Sequence, residues 1–228
     1  MWVMARLARV VVPGMPHHLT QRGNRREAVF FDEADRRLYL LLWREACRKF
    51  GLEVWAWCLM TNHVHVVVVP PAADALGQAM RRLNSRYTSA VNRRAGLCGH
   101  LWQGRFYSTP LDGPHAVAAM RYVERNPVRA ALVANAWEYP WSSAAGHCGL
   151  RRDPLVSGEG RLAAQVGDWR HFLQDEDDAS VALLRQRTRT GRPCGSPDFV
   201  ADLQQRLGRA LLPGKRGPKP RKGRRSPN

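Results

Sequence analysis

Long apolar runs are missing from this chain: no stretch of its 228 residues approaches the roughly 20 apolar residues that a membrane-spanning helix needs. The first dozen residues are interrupted by Arg6 and Arg9 and make a poor secretory signal. Cysteine is sparse and scattered. Cys47, Cys58, Cys98, Cys148 and Cys194 are odd in number, and no two have zinc-ligand spacing. That argues against a structural zinc site and fits reduced thiols in a cytosol. No internal repeat is present. Acidic residues are the other shortage: 19 Asp plus Glu stand against 36 Lys plus Arg, a formal net charge of +17. An imbalance that large speaks to partners and not to fold. Nucleic acid is the leading partner class and an acidic membrane surface the second; eight Trp and the Arg bias favour the first, since flat side chains stack on unpaired bases.

What is present centres on Met60-Thr61-Asn62-His63-Val64-His65-Val66-Val67-Val68-Val69. The β-branched run reads as a strand, in which residues two apart share a face. His63 and His65 therefore project side by side, with Val64 turned away. Two imidazoles on one sheet face are half of a divalent-metal site, or simply a pair of solvated strand histidines.

Around this strand the chain reads as α+β. A short β-like piece, His17 to Arg22, precedes a polar loop with Arg22, Arg25 and Arg26. Asp32 opens a helix with acids first and bases last, and Gly51 closes it. Leu52 to Met60 reads as a strand with Trp55, Trp57 and Leu59 on one side, and Thr61-Asn62 as a tight hairpin turn. Residues 73–94 form a helix with Leu76, Met80, Leu83, Tyr87 and Ala90 on a core stripe and Arg81, Arg82 and Arg86 outside it. A loop and a strand from Arg105 to Leu111 follow. A third helix starts near Pro114 and ends or kinks at Asn126, ahead of Pro127. This order points to a ferredoxin-like antiparallel sheet with packed helices. We read 1–148 as the catalytic-type domain, 149–212 as a connector and helical extension, and 213–228 as a disordered basic tail. Within the extension, the Arg-rich 185–193 reads as connector and 197–209 as an amphipathic helix.

The histidine pair needs a third ligand and a nucleophile. Tyr87 is one candidate, but it lies on the core stripe. Tyr122 is the other: it and Asn126 are four apart and stack on one helical face, with Arg121, Arg125 and Arg129 around them. An amide oxygen there completes a His, His, Asn set, although Asn126 also serves as a helix terminator ahead of Pro127. His17 and His18 read as bystanders. Trp102, Phe106 and Tyr107 offer either base stacking or ordinary packing.

At these residues the chain resembles a known family. HVH on a strand, WQGRF at 102–106, RYVERNPVRA at 121–130 and QRGNRREAVFFDEADRRLYL at 21–40 are similar to the REP-associated tyrosine transposases, members of the single-tyrosine HUH transposases. The resemblance spans roughly residues 10–148. It implies His63, His65 and Asn126 as metal ligands, Tyr122 as nucleophile, Mg²⁺ or Mn²⁺ as cofactor, and cleavage and rejoining of single-stranded, hairpin-forming repeat DNA through a phosphotyrosine. It further implies a bacterial cytoplasmic protein, nucleoid-associated when on DNA, acting as monomer or homodimer. Arg22, Arg25, Arg26, Arg81, Arg82, Arg86, Arg105, Arg121, Arg125 and Arg129 are the candidate DNA contacts. Two other readings remain: a non-catalytic repeat-binding regulator on the same scaffold, and a duplex-binding repressor using the helix at 197–209. A truncation near residue 150 is expected to keep cleavage if the enzyme reading holds. Thr190-Gly191-Arg192-Pro193 and Arg216-Gly217-Pro218-Lys219-Pro220 faintly resemble minor-groove arms.

Overall fold

A computed structural model describes residues 8–157, 165–175 and 177–212. Strand β1 (His17–Arg22) is central and leads to helix α1 (Glu33–Phe50), strands β2 (Glu53–Leu59) and β3 (His63–Val69), helix α2 (Ala75–Ala95) and strand β4 (Tyr107–Pro110). The sheet order is β2-β3-β1-β4, every neighbour antiparallel. This is the expected α+β, ferredoxin-like sheet. After it come α3 (Gly113–Glu124), α4 (Asn126–Arg129), α5 (Ala144–His147), α6 (Trp169–Phe172), α7 (Asp178–Thr190) and α8 (Pro197–Leu207).

The strand residues sort by period into two cores. Val64, Val66 and Val68 of β3 pack under α1 and α2 with Trp43, Leu76, Leu83 and Tyr87. Ala56, Cys58 and Val67 face the other way, against Met120 and Val123 of α3 and Val181 and Leu184 of α7. His63 and His65 share that second face. The sheet is thus covered on both sides, and α3 and α7 set the depth at which the histidines lie.

Local chemistry explains the element ends. The Asp32 carboxylate accepts from the Asp35 amide at the start of α1, an N-cap, and Gly51 closes the helix at φ 65°, where a side chain would be strained. Asp112 caps α3 in the same way through the His115 amide. Across the Thr61-Asn62 turn the Met60 amide donates to the His63 carbonyl at 2.9 Å, as the hairpin reading requires.

Four expectations are corrected. Trp55 does not share a side with Trp57 and Leu59: the β2–β3 register slips between Val54 and Ala56, a bulge at Trp55, so Trp57 and Leu59 enter the first core while Trp55 packs against the second. The third helix breaks at Arg125 and not at Asn126; Asn126 instead opens the one-turn helix α4, with Pro127 in its first turn. Residues 185–190 are not connector. They form the last turns of α7, whose N-terminus Asp177 caps through the Ala179 and Ser180 amides. Thr190-Gly191-Arg192-Pro193 is likewise no free arm, because the Thr109 hydroxyl donates to the Arg192 carbonyl and Cys194 bridges to Leu111 beside it. The companion stretch 216–220 and the whole of 213–228 lie outside the described residues. Helix α8 buries Val200 and Leu203 against Val10, Val12 and Leu211.

Candidate functional site

Strand β1 lies beside β3 in a register that pairs Thr20 with His65 and Arg22 with His63. Alternation then places His18, Thr20 and Arg22 on the histidine face. Helix α3 crosses that face and delivers Tyr122; its C-terminal turn and α4 deliver Asn126 and Arg129. Helix α7 closes the far side with Arg185, Thr188 and Arg189. Together these residues line an open cavity of about 620 Å³.

The imidazoles form an ordered chain. His18 Nδ1 lies 2.8 Å from Thr188 Oγ1, and His18 Nε2 lies 2.9 Å from His65 Nδ1, with the two rings stacked at 5.1 Å. His63 Nδ1 lies 2.7 Å from Asn62 Oδ1. The Asn62 amide nitrogen is already donating to the Arg26 carbonyl, so Oδ1 can only accept and His63 carries its proton on Nδ1. Burial and Arg22 push the His63 pKa down to about 4. Burial and Arg129 push that of His18 to about 3, and burial with His63 and His18 holds His65 well below its ordinary value. All three are neutral at pH 7, which is the form that ligates a metal. If the His65 Nδ1 proton is donated to His18 and the His18 Nδ1 proton to Thr188, then His63 and His65 both keep a lone pair on Nε2. The residues present therefore fit a divalent ion held by two imidazoles and an amide oxygen.

Asn126 is buried, and its amide nitrogen donates to the Tyr122 and Val123 carbonyls at 3.1 Å each. The amide nitrogen thus caps carbonyls of the last turn of α3, and the amide oxygen is not used in those bonds. Among the described residues no three His, Cys, Asp or Glu side chains are arranged to hold a metal.

Tyr122 is 6% exposed. Its ring meets those of His65 and His18 edge-on at 5.5 and 5.6 Å. The Arg129 guanidinium lies over its face, 4.2 Å from the centroid. Arg185 Nε donates to its hydroxyl at 3.4 Å. Tyr87, by contrast, is sealed in the first core and donates to the Val29 carbonyl at 2.6 Å. The core-stripe reading of Tyr87 stands.

Of the candidate DNA contacts, Arg22, Arg26 and Arg129 line the cavity. Arg105 lines an adjoining cleft with Tyr107 and Arg189. Arg121 lies over the Phe172 ring at 4.7 Å, and Arg125 is turned to the Leu173 and Gln174 carbonyls. Arg81, Arg82 and Arg86 lie with Lys49 on the α2 surface, on the sheet's other side, and Arg86 pairs with Glu45. Arg25 is exposed in the loop after β1, at φ 51°. Trp102 and Phe106 are packed, Phe106 beneath the Arg9 guanidinium at 3.6 Å, while Tyr107 reaches the cavity.

His18, a bystander on sequence alone, lines the cavity and bonds His65. The signal was in the sequence, since His18, Thr20 and Arg22 alternate, but it needs the β1–β3 register to be read. Arg185 and Arg189 have no sequence signal beyond positive charge, and Thr188 has none.

These features define a class: an α+β protein whose open, cationic cavity brings imidazole and phenol side chains together. The chain belongs to the IS200-like transposase family, whose model matches residues 11–126. A search of the curated proteins returned no match. Among solved structures, that of a REP-associated tyrosine transposase bound to a REP hairpin aligns with a TM-score of 0.56 at 20% identity, covering 68% of this chain and 92% of that one. The crystal structure of a candidate transposase from Deinococcus radiodurans r1 aligns with a TM-score of 0.37 at 21% identity, covering 53% and 97%. No helix among the described residues is long and apolar enough to cross a membrane.

Proposed function

We propose that this transposase-family protein cleaves and rejoins single-stranded, hairpin-forming repeat DNA, with Tyr122 as nucleophile and a divalent ion, Mg²⁺ or Mn²⁺, held by His63, His65 and Asn126. The observation that carries the reading is the convergence of these four residues, from two distant stretches of sequence, on one arginine-rimmed cavity. The likeness in fold to a REP-associated transposase bound to a REP hairpin supports the choice of DNA.

The ion, when bound, withdraws charge from a phosphate oxygen. The chain does the rest. Arg22, Arg26 and Arg129 attract and orient the phosphodiester, as cations in a cleft do. The packing of α3 holds Tyr122 against the imidazoles and limits its freedom to reorient, which favours in-line attack. The Tyr122 oxygen loses its proton to water in the open cavity and bonds to phosphorus; the P–O3′ bond breaks and the 3′ oxygen is protonated from water. A 5′-phosphotyrosine and a 3′-hydroxyl result, and the phosphodiester energy is kept for rejoining.

The test is a labelled hairpin oligonucleotide incubated with Mg²⁺ or Mn²⁺ and resolved on a denaturing gel. A metal-dependent covalent adduct is expected for wild type and for any folded Tyr87→Phe, and none for Tyr122→Phe. An adduct lost only in Tyr87→Phe would reassign the nucleophile. Tight hairpin binding without any adduct would make the protein a repeat-binding regulator.

A further inference from the structure

The family model ends at residue 126, yet the cavity does not. Its far wall is α7, more than fifty residues further on, and one side chain of that helix touches the atom on which the proposed chemistry turns. We propose that Arg185 is a catalytic residue of this protein, a charge partner for the Tyr122 oxygen supplied by the C-terminal extension. The assignment rests on the proposed function above and deepens it.

Two arginines approach Tyr122, and they do different things. Arg129 lies over the ring face and also donates to the Tyr122 backbone carbonyl. Arg185 donates from Nε to the hydroxyl itself, with its guanidinium carbon 5.6 Å from the ring centroid. In the resting phenol this is a long, neutral-acceptor hydrogen bond. As the oxygen sheds its proton, the acceptor gains a full negative charge and the same contact becomes a guanidinium–phenolate ion pair, which draws the two groups together more strongly. In rejoining, a 3′-hydroxyl oxygen loses its proton to water and bonds to phosphorus, the phosphorus–oxygen bond to Tyr122 breaks, the electron pair returns to the Tyr122 oxygen, and Arg185 stabilises the departing phenolate. A contact that strengthens only as charge develops acts on the rate and not on substrate affinity.

The placement is built and not incidental. Val181 and Leu184, one turn before and one residue before Arg185, are buried against α3. Thr188, one turn after, is buried on His18. Asp177 caps the helix start and Gly191, at φ 68°, closes its end. Arg185 thus projects from a helix pinned on both sides of it, while its own side chain stays at the open rim of the cavity.

The decisive experiment is the single-turnover rate of adduct formation on a saturating hairpin oligonucleotide, with hairpin affinity and thermal melting measured in parallel. Arg185→Ala is expected to slow adduct formation about 10²- to 10³-fold, the usual loss for one preorganised donor, with affinity and melting little changed. Guanidinium chloride at non-denaturing concentration, small enough to enter at the open rim, should restore part of the rate where equal sodium chloride does not, and Arg185→Lys should retain part of it. Arg185→Ala that reacts at the wild-type rate or faster overturns the assignment and leaves the proposed function intact. So does a loss that tracks lowered melting and resists guanidinium. A wild type that forms no adduct overturns both.

Discussion

At the scale of single residues the site is a matter of which nitrogen carries a proton. His65 meets the cavity with Nε2 only if its Nδ1 proton is spent on His18, and His18 can accept it only if its own proton goes to Thr188. Removing such an outer partner of a ligating histidine typically costs 10- to 100-fold in metal affinity. His18→Phe should therefore weaken Mn²⁺ binding by about that factor, read by calorimetry on the free protein; unchanged affinity would break the relay. His17, the other strand histidine, has a structural role. Its Nδ1 lies 2.8 Å from the Met15 carbonyl and its Nε2 accepts from the Val12 amide at 3.2 Å, so the neutral ring satisfies both neighbours. Burial lowers its pKa from 6.5 to about 4. The unfolded chain then takes up the proton first: the stabilisation is whole above about pH 6.5 and drains away as pH falls towards 4. By pH 5 the loss reaches about 2 kcal/mol. Denaturant melts at pH 7.5 and 5 should show wild type losing about that much more than His17→Gln.

At the scale of elements, α7 decides what can be cut away. Val181 and Leu184 complete the second core with Trp169, Leu173 and Cys194, all from beyond residue 150. A truncation near residue 150 would uncover that core, so it is expected to lower stability and not to isolate an intact cleavage module; a cooperative melt at the wild-type temperature would refute this. A milder probe is Leu184→Ala, which should cost about 2–5 kcal/mol as buried leucine truncations do, and should slow adduct formation as well because Arg185 and Thr188 ride on the same helix. The junction after α7 is equally tight. A methyl group on Gly195 would meet Phe199 Cδ1 at 2.2 Å and Asp112 Oδ2 at 2.8 Å, and that Asp112 oxygen already accepts from the Ser196 amide while the other caps α3. Gly195→Ala is therefore expected to loosen α8 and the start of α3 together, seen as early amide exchange in both.

At the scale of the whole molecule, charge dominates. A net +17 surrounds a cavity that itself holds Arg22, Arg26, Arg129, Arg185 and Arg189. Neutralising six to ten phosphates on duplex DNA would lose ~10³- to 10⁵-fold in affinity between 50 and 200 mM salt, somewhat less on single strands. A filter-binding titration should show that slope for hairpins of any sequence, and a flat response would exclude a basic groove. The α2 arginines add a second positive surface across the sheet from the cavity, so a substrate that contacts both must wrap the β4 edge or the β2 edge.

Much of this was legible without coordinates, because local rules suffice for it. Strand periodicity alone puts His63 beside His65, the four-residue spacing brings Tyr122 and Asn126 to the same cavity even though the helix breaks between them, and the caps Asp32 and Gly51 bound α1 through their own backbone chemistry. The composition likewise determined the charge and the kind of partner it favours. Tertiary structure alone decided the rest. The bulge at Trp55 depends on how β2 meets β3, and His18 joins the site only through the register of β1 on β3. Arg185 and Thr188 looked like solvated charge and a polar neighbour until α7 packed on α3. Contacts between residues 63 or 170 positions apart leave no period in a sequence; the burial of Val181 and Leu184 is what brings them together.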